Sequence, residues 1–159
     1  MYLFKNCEIY QPAYQGTGDV LVSGGRIAAV DIDIEPSPKL AVEVIDGSGL
    51  RLTPGFIDVH VHIAGAGGDG GPSTRTPEIT LGALLDAGVT TAIGCLGLDG
   101  YTRSVASLLM KAKALRADGI SSWIYTGSYQ IPPPTLTGEV ATDLAYIEEI
   151  IGVGETAIS

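Results

Sequence analysis

Pro54-Gly55-Phe56-Ile57-Asp58-Val59-His60-Val61-His62 is the stretch on which the reading of this chain turns. From Gly55 onward it is a nearly continuous apolar run, as in a parallel strand covered on both faces. Side chains alternate along an extended strand, so His60 and His62 project from one face and Val59 and Val61 from the other. The chain has 2 histidines, and both are here. Two imidazoles on one face, with Asp58 two residues ahead and a glycine-rich loop after, can hold a divalent metal. The plainer alternative is a pair of ordinary histidines on a half-buried strand.

Working outward, strand-like and helix-like segments alternate after Pro54. A loop over Gly65 to Pro72 leads to a helix expected to start at Thr76-Pro77-Glu78, with Thr76 as N-cap. Ile79, Leu81, Leu84 and Leu85 would form its buried side, and Gly88 would end it. Val89 to Leu96 reads as a second strand. Ser104 to Asp118 reads as a second helix, with Val105, Leu108, Leu109, Ala112 and Leu115 at helical spacing. Ile120 to Thr126 is a third strand. A short helix from Glu139 to about Ile147, with Val140, Leu144 and Ile147 inward, precedes a fourth strand over Ile150 to Glu155. Repeated strand-then-helix units imply a parallel sheet with right-handed crossovers.

A complete barrel of this kind has eight units over about 250 residues, and four are present. The fold expected is therefore α/β: residues 54–159 as the first half of a (β/α)8 TIM-like barrel. Its unpaired apolar edge leads us to expect the other half on another chain, through natural splitting, proteolysis or truncation. Residues 1–53 read as all-β. Tyr2-Leu3-Phe4, Cys7 to Tyr10, Asp19 to Val22, Arg26 to Val30 and Val42 to Ile45 are strand-like, with Ser23-Gly24-Gly25 as a hairpin turn.

Composition narrows the function classes. The chain has 159 residues, 45% of them hydrophobic, and carries a net charge of −9. That balance argues against nucleic acid and against an anionic membrane surface. Cys7 and Cys95 are too few for a disulfide framework, and Cys95 reads as a small buried hydrophobe. With no signal peptide and no stretch of membrane-spanning length, a cytoplasmic setting is expected.

Pro54-Gly55-Phe56-Ile57-Asp58-x-His60-x-His62 after a β-rich segment resembles the opening motif of the amidohydrolase superfamily. Gly65 to Glu78, Ala87-Gly88-Val89-Thr90-Thr91, Gly119 to Trp123 and Thr126-Gly127-Ser128-Tyr129 are similar to the isoaspartyl (β-aspartyl) dipeptidase family. The resemblance covers residues 53 to 159 and, more loosely, the segment before them. It implies a two-zinc hydrolase in a distorted barrel, with a small β-sandwich domain of which residues 1–53 form part. It further implies β-aspartyl dipeptides as substrates and a homo-oligomer.

By that match, His60 and His62 ligate the more buried metal, and Asp58 lies deeper as a supporting residue. Most of the family places a carbamylated lysine as the carboxylate that bridges two Zn2+. This chain has Glu155 there, in a segment one residue longer than the family pattern. A glutamate supplies the same two oxygens and charge, so Glu155 is expected as the bridging ligand, with Gly154 bulging the backbone inward to make up its reach. A loop glutamate without a metal role is the bland alternative, and it would follow if the strand ran over Thr156 to Ser159 instead. Tyr129 matches the family tyrosine that hydrogen-bonds the reacting carbonyl. Gly67 and Asp69 match the loop that holds the substrate's α-amino group, Asp69 being one methylene shorter than the usual glutamate. Leu98 stands where a polar residue is common. Arg75, Arg103 and Trp123 are expected to be structural.

Further metal ligands, a proton-shuttling aspartate and the residues for the substrate carboxylates are expected on the complementary C-terminal half, so this chain alone would be inactive. Two other readings stay open. One is another amidohydrolase of cyclic-amidase or deaminase type. The other is a non-catalytic fragment that docks with a partner chain.

Overall fold

The structure, a computed structural model, describes residues 1–156. The chain divides into two compact units, Met1–Pro54 and Gly55–Ser159.

The first unit is one mixed sheet of five strands. They are β1 (Tyr2–Tyr10), β2 (Tyr14–Ser23), β3 (Arg26–Asp31), β4 (Glu43–Asp46) and β5 (Arg51–Leu52). The order is β3-β2-β1-β4, with β5 also pairing β1, and β4 and β5 run parallel to β1. The two strands expected over Tyr2-Leu3-Phe4 and Cys7 to Tyr10 are one strand, with a pairing irregularity between Phe4 and Cys7. Asn6 sits there at φ 61, a conformation asparagine tolerates better than most residues. Its N–H donates to buried Asp19 at 2.9 Å, which keeps the strand continuous through the kink.

The second unit is a parallel sheet with helices. Its strands β6 (Phe56–Val61), β7 (Val89–Gly94), β8 (Ser121–Thr126) and β9 (Ile150–Val153) stand side by side in chain order. Between them lie α1 (Leu81–Asp86), α2 (Val105–Ala117) and α3 (Val140–Tyr146). This is a partial β/α barrel. The helices bury one face of the sheet: Ala92, Ile124 and Ile150 pack with Leu84, Val105, Leu108, Ala112 and Leu115. On β8 the buried residues Ser122, Ile124 and Thr126 alternate with half-buried Trp123 and Tyr125, so the second face is open. The continuous apolar pattern of β6 led us to expect cover on both sides. As an edge strand here, β6 leaves Phe56, Ile57 and Val59 more than half exposed.

Two helices differ from expectation. The first starts at Leu81 with Thr80 as N-cap, its side chain accepting from the Ala83 N–H at 3.2 Å. Thr76 is committed elsewhere: its N–H donates to Ala66 O at 2.8 Å and its hydroxyl accepts from Ala66 N–H at 2.8 Å. That pairing closes the neck of the glycine-rich loop and keeps the chain extended beyond it. In α3 the buried residue is Asp143, while Leu144 is exposed. Asp143 accepts from Thr126 Oγ1 (2.5 Å), Leu136 N (3.0 Å), Thr137 N (2.8 Å) and Thr137 Oγ1 (2.7 Å). A carboxylate with that many donors is worth burying.

Candidate metal centre

The site forms at the C-terminal ends of the parallel strands, where barrel enzymes place their chemistry. His60 lies at the end of β6 and His62 just past it. Asp58 Oδ1 accepts from the His60 N–H at 3.0 Å, so it braces the strand end and stands outside the donor cluster. Glu155 follows β9 by two residues and reaches both imidazoles. Its Oε1 is 2.8 Å from His60 Nε2, and its Oε2 is 3.6 Å from His62 Nε2.

The backbone leading to Glu155 is irregular at two points. Ile124 pairs with Ile150 and Tyr125 with Gly152, so the pairing irregularity in β9 falls at Ile151, and past the strand the Gly154–Glu155 peptide bond is cis. A Cβ on Gly154 would meet only ordinary contacts, at 3.8 Å from Tyr125. The alternative strand over Thr156 to Ser159 lies, beyond its first residue, outside the described residues.

Tyr129 and the glycine-rich loop face the same place. The Tyr129 hydroxyl donates to Glu155 Oε1 at 3.4 Å. The negative charge of Glu155, then burial and this hydrogen bond, push the phenol pKa upward. His62, Gly67, Asp69, Leu98, Tyr129 and Glu155 line one cleft of about 370 Å³. Of the residues expected to bind metal or substrate, His62, Gly67, Asp69, Tyr129 and Glu155 are on this cleft, and His60 touches Glu155.

The loop that carries Gly67 and Asp69 is held by charge. Arg103 donates to Thr76 O at 2.7 Å and to Ala66 O at 3.3 Å, spanning both sides of the loop neck. Asp99 ion-pairs with Arg75 at 3.1 Å and with Arg103 at 3.3 Å. Hydrogen bonds from Thr102, assisted by both guanidinium groups, hold the Asp99 pKa below the ordinary carboxylate range. Trp123 stacks against the Arg116 guanidinium, 5.4 Å away.

Two neighbours of the centre were not legible in the sequence. At Gly97 (φ +67) a Cβ would stand 2.5 Å from His62 Cε1 and 3.1 Å from Glu155 Oε2, so only glycine leaves the ring its place. Cys95, fully buried, has its Sγ 3.6 Å from His62 Nδ1. Burial, with the charges of Glu155 and Asp58, pushes the thiol pKa up to about 12. Nothing in its apolar stretch sets this cysteine apart, because the contact spans 33 residues of sequence.

The donors fit a divalent cation. One atom each from His60, His62, Cys95 and Glu155 lie within 4.8 Å of one another. Glu155 Oε2 is buried and has no hydrogen-bond partner among the described residues. A buried carboxylate oxygen left in this way calls for a partner. Imidazoles with a carboxylate suit zinc and its neighbours in the first transition row.

A parallel-strand scaffold that ends in His-x-His and a facing carboxylate is similar to part of a barrel of the amidohydrolase type. More narrowly, the chain resembles the N-terminal portion of β-aspartyl dipeptidase. It is 45% identical to the solved β-aspartyl dipeptidase of the thermophilic, keratin-degrading Fervidobacterium islandicum AW-1, with a TM-score of 0.92, over 99% of this chain and 43% of that one. The structure of the Fervidobacterium islandicum AW-1 enzyme with β-Asp-Leu dipeptide is matched at 44% identity and TM-score 0.89, over 99% of this chain and 41% of that one. A dihydroorotase of Elusimicrobium minutum is 38% identical over 92 residues, 57% of this chain and 20% of that protein. The chain thus spans about two fifths of its solved relatives and one fifth of that curated one. No family model matches.

Proposed function

We propose that the chain contributes His60, His62 and Glu155 to a binuclear zinc site that hydrolyses β-aspartyl dipeptides. Bound divalent cations supply positive charge that polarises a carbonyl and makes a nearby water more acidic. The chain's own groups do the rest of what can be assigned to it. A carboxylate has two oxygens and a negative charge, so Glu155 could join a second cation to the one held by His60 and His62 without carbamylated lysine. Tyr129 aims its hydroxyl into the cleft, where it can donate to oxygen as negative charge develops. Asp69, with Gly67 beside it, can take the substrate's α-ammonium in a charge-assisted hydrogen bond.

The observation that carries this reading is the convergence of two imidazoles and a carboxylate with an unpaired buried oxygen beside Tyr129 and Asp69. The remaining ligands and the groups for the substrate carboxylates would come from residues outside this chain. A homo-oligomer and a cytoplasmic setting belong to the same reading. No described helix is long and apolar enough to cross a membrane.

The test is hydrolysis of β-Asp-Leu by the complete, zinc-loaded barrel in carbon-dioxide-free buffer. Full activity without bicarbonate is expected, with two zinc ions per barrel by mass. An absolute need for carbon dioxide would remove the glutamate bridge. The dihydroorotase relative favours a second reading, hydrolysis of a cyclic amide. Turnover of dihydroorotate and none of β-Asp-Leu would establish it. A barrel that binds its complementary half yet takes up no metal and cleaves neither substrate would be a docking fragment.

A further inference from the structure

We propose that Cys95 is a positioning residue for the metal centre: its sulfur accepts the His62 Nδ1 proton and so turns the Nε2 lone pair toward Glu155. A metal-ligating histidine nearly always gives its other ring N–H to a carboxylate, a carbonyl or water, which fixes tautomer and orientation. Cys95 Sγ, at 3.6 Å, is the partner of His62 Nδ1 among the described residues. Nε2 then faces Glu155 Oε2 across 3.6 Å. That gap is too long for a hydrogen bond and close to the roughly 3.3 Å expected between nitrogen and oxygen on one tetrahedral zinc.

The sulfur is set in place by the backbone. The Cys95 N–H donates to Val61 O at 3.1 Å, which ties the end of β7 to the residue beside His62. The thiol hydrogen points to the same carbonyl, 3.9 Å from sulfur, leaving sulfur lone pairs for the imidazole. Gly97 leaves room for the ring, since any Cβ there would stand 2.5 Å from the carbon between the two nitrogens. His62 is thus fixed in angle by Gly97 and in tautomer by Cys95. A neutral thiol, unlike a carboxylate, does this without adding negative charge beside Glu155.

The inference rests on His62 being a metal ligand. The test uses the metal-free 159-residue chain and long-range nitrogen-15 NMR of its two histidines, each assigned by a single His→Gln variant. His62 is expected with its proton on Nδ1 in the parent chain and in Cys95→Ser. In Cys95→Val, which keeps the apolar volume, that preference is expected to be lost, with zinc affinity lower by about 10- to 100-fold. Cys95→Ser should retain most of the affinity. A parent His62 with its proton on Nε2 would overturn the proposal without any variant. So would a Cys95→Val chain with unchanged tautomer and affinity. A thiolate-to-metal charge-transfer band in the Co2+-loaded chain, lost in Cys95→Ser, would overturn it by making Cys95 a ligand. Failure to bind Zn2+ at all would instead sink the metal centre itself, a result that the tautomer of the metal-free chain reports separately.

Discussion

Glu155 places its two oxygens 2.8 and 3.6 Å from two imidazoles, so its removal is expected to strip the centre. Glu155→Gln keeps the shape and loses the charge. Zinc affinity should fall by more than about 100-fold, since even residues that merely orient a ligand are worth 10 to 100. Competition with a chromophoric chelator measures it. Tyr129→Phe should behave oppositely: metal content is unchanged, while kcat of the complete barrel on β-Asp-Leu falls about 100-fold, the usual cost of one oxyanion donor. Gly97→Ala is expected to displace His62, because the new methyl would stand 2.5 Å from the ring. Its signature is lowered zinc affinity together with a lower urea midpoint. His60, His62 and Tyr129 were legible in the sequence because a strand's period and a motif fix them locally. Gly97 and Cys95 were not, because their roles exist only where two strand ends meet.

At the level of elements, the helix spacing read for α2 is realised: Val105, Leu108, Ala112 and Leu115 are buried, and Ser104 forms a capping box with Ser107. Apolar periodicity held only in part at α3: Ile147 packs against the core, but Leu144 is exposed and the fully buried position belongs to Asp143. Asp143→Ala would strand the Thr126 hydroxyl and two backbone N–H groups, and we expect a loss of roughly 3 kcal/mol in urea unfolding. The pH dependence has a definite sign. Burial raises the Asp143 pKa, but hydrogen bonds from Thr126, Leu136 and Thr137 outweigh it and hold it below its ordinary value of 3.8. A folded-state pKa below the unfolded one stabilises fully above the unfolded value, and the gain is lost as pH falls through the folded one. The parent should therefore lose stability below about pH 4 through this group, and Asp143→Asn should show a flatter urea midpoint against pH over that range.

For the whole molecule, the open face and edge of the parallel sheet dominate. Phe56, Ile57 and Val59 are exposed at 64%, 65% and 57%, on a strand with one neighbour in the sheet. An apolar edge of this kind pairs with whatever strand it meets. The 159-residue chain alone is expected to self-associate with rising concentration in size-exclusion chromatography. Val59→Lys should shift it toward monomer, and monomeric elution of the parent at high concentration would contradict the expectation.

The sequence by itself determined the alternation of strand and helix after Pro54, the pairing of His60 with His62 on one side of a strand, and the likeness to half of a barrel hydrolase. These follow from periodicity and short motifs, which act over a few residues. Only the tertiary structure decided that the loop neck would claim Thr76 and delay α1, that β9 would pair irregularly at Ile151, and that a thiol and a glycine would frame His62. Those outcomes depend on which backbone groups meet across distant segments, and no local pattern carries that information.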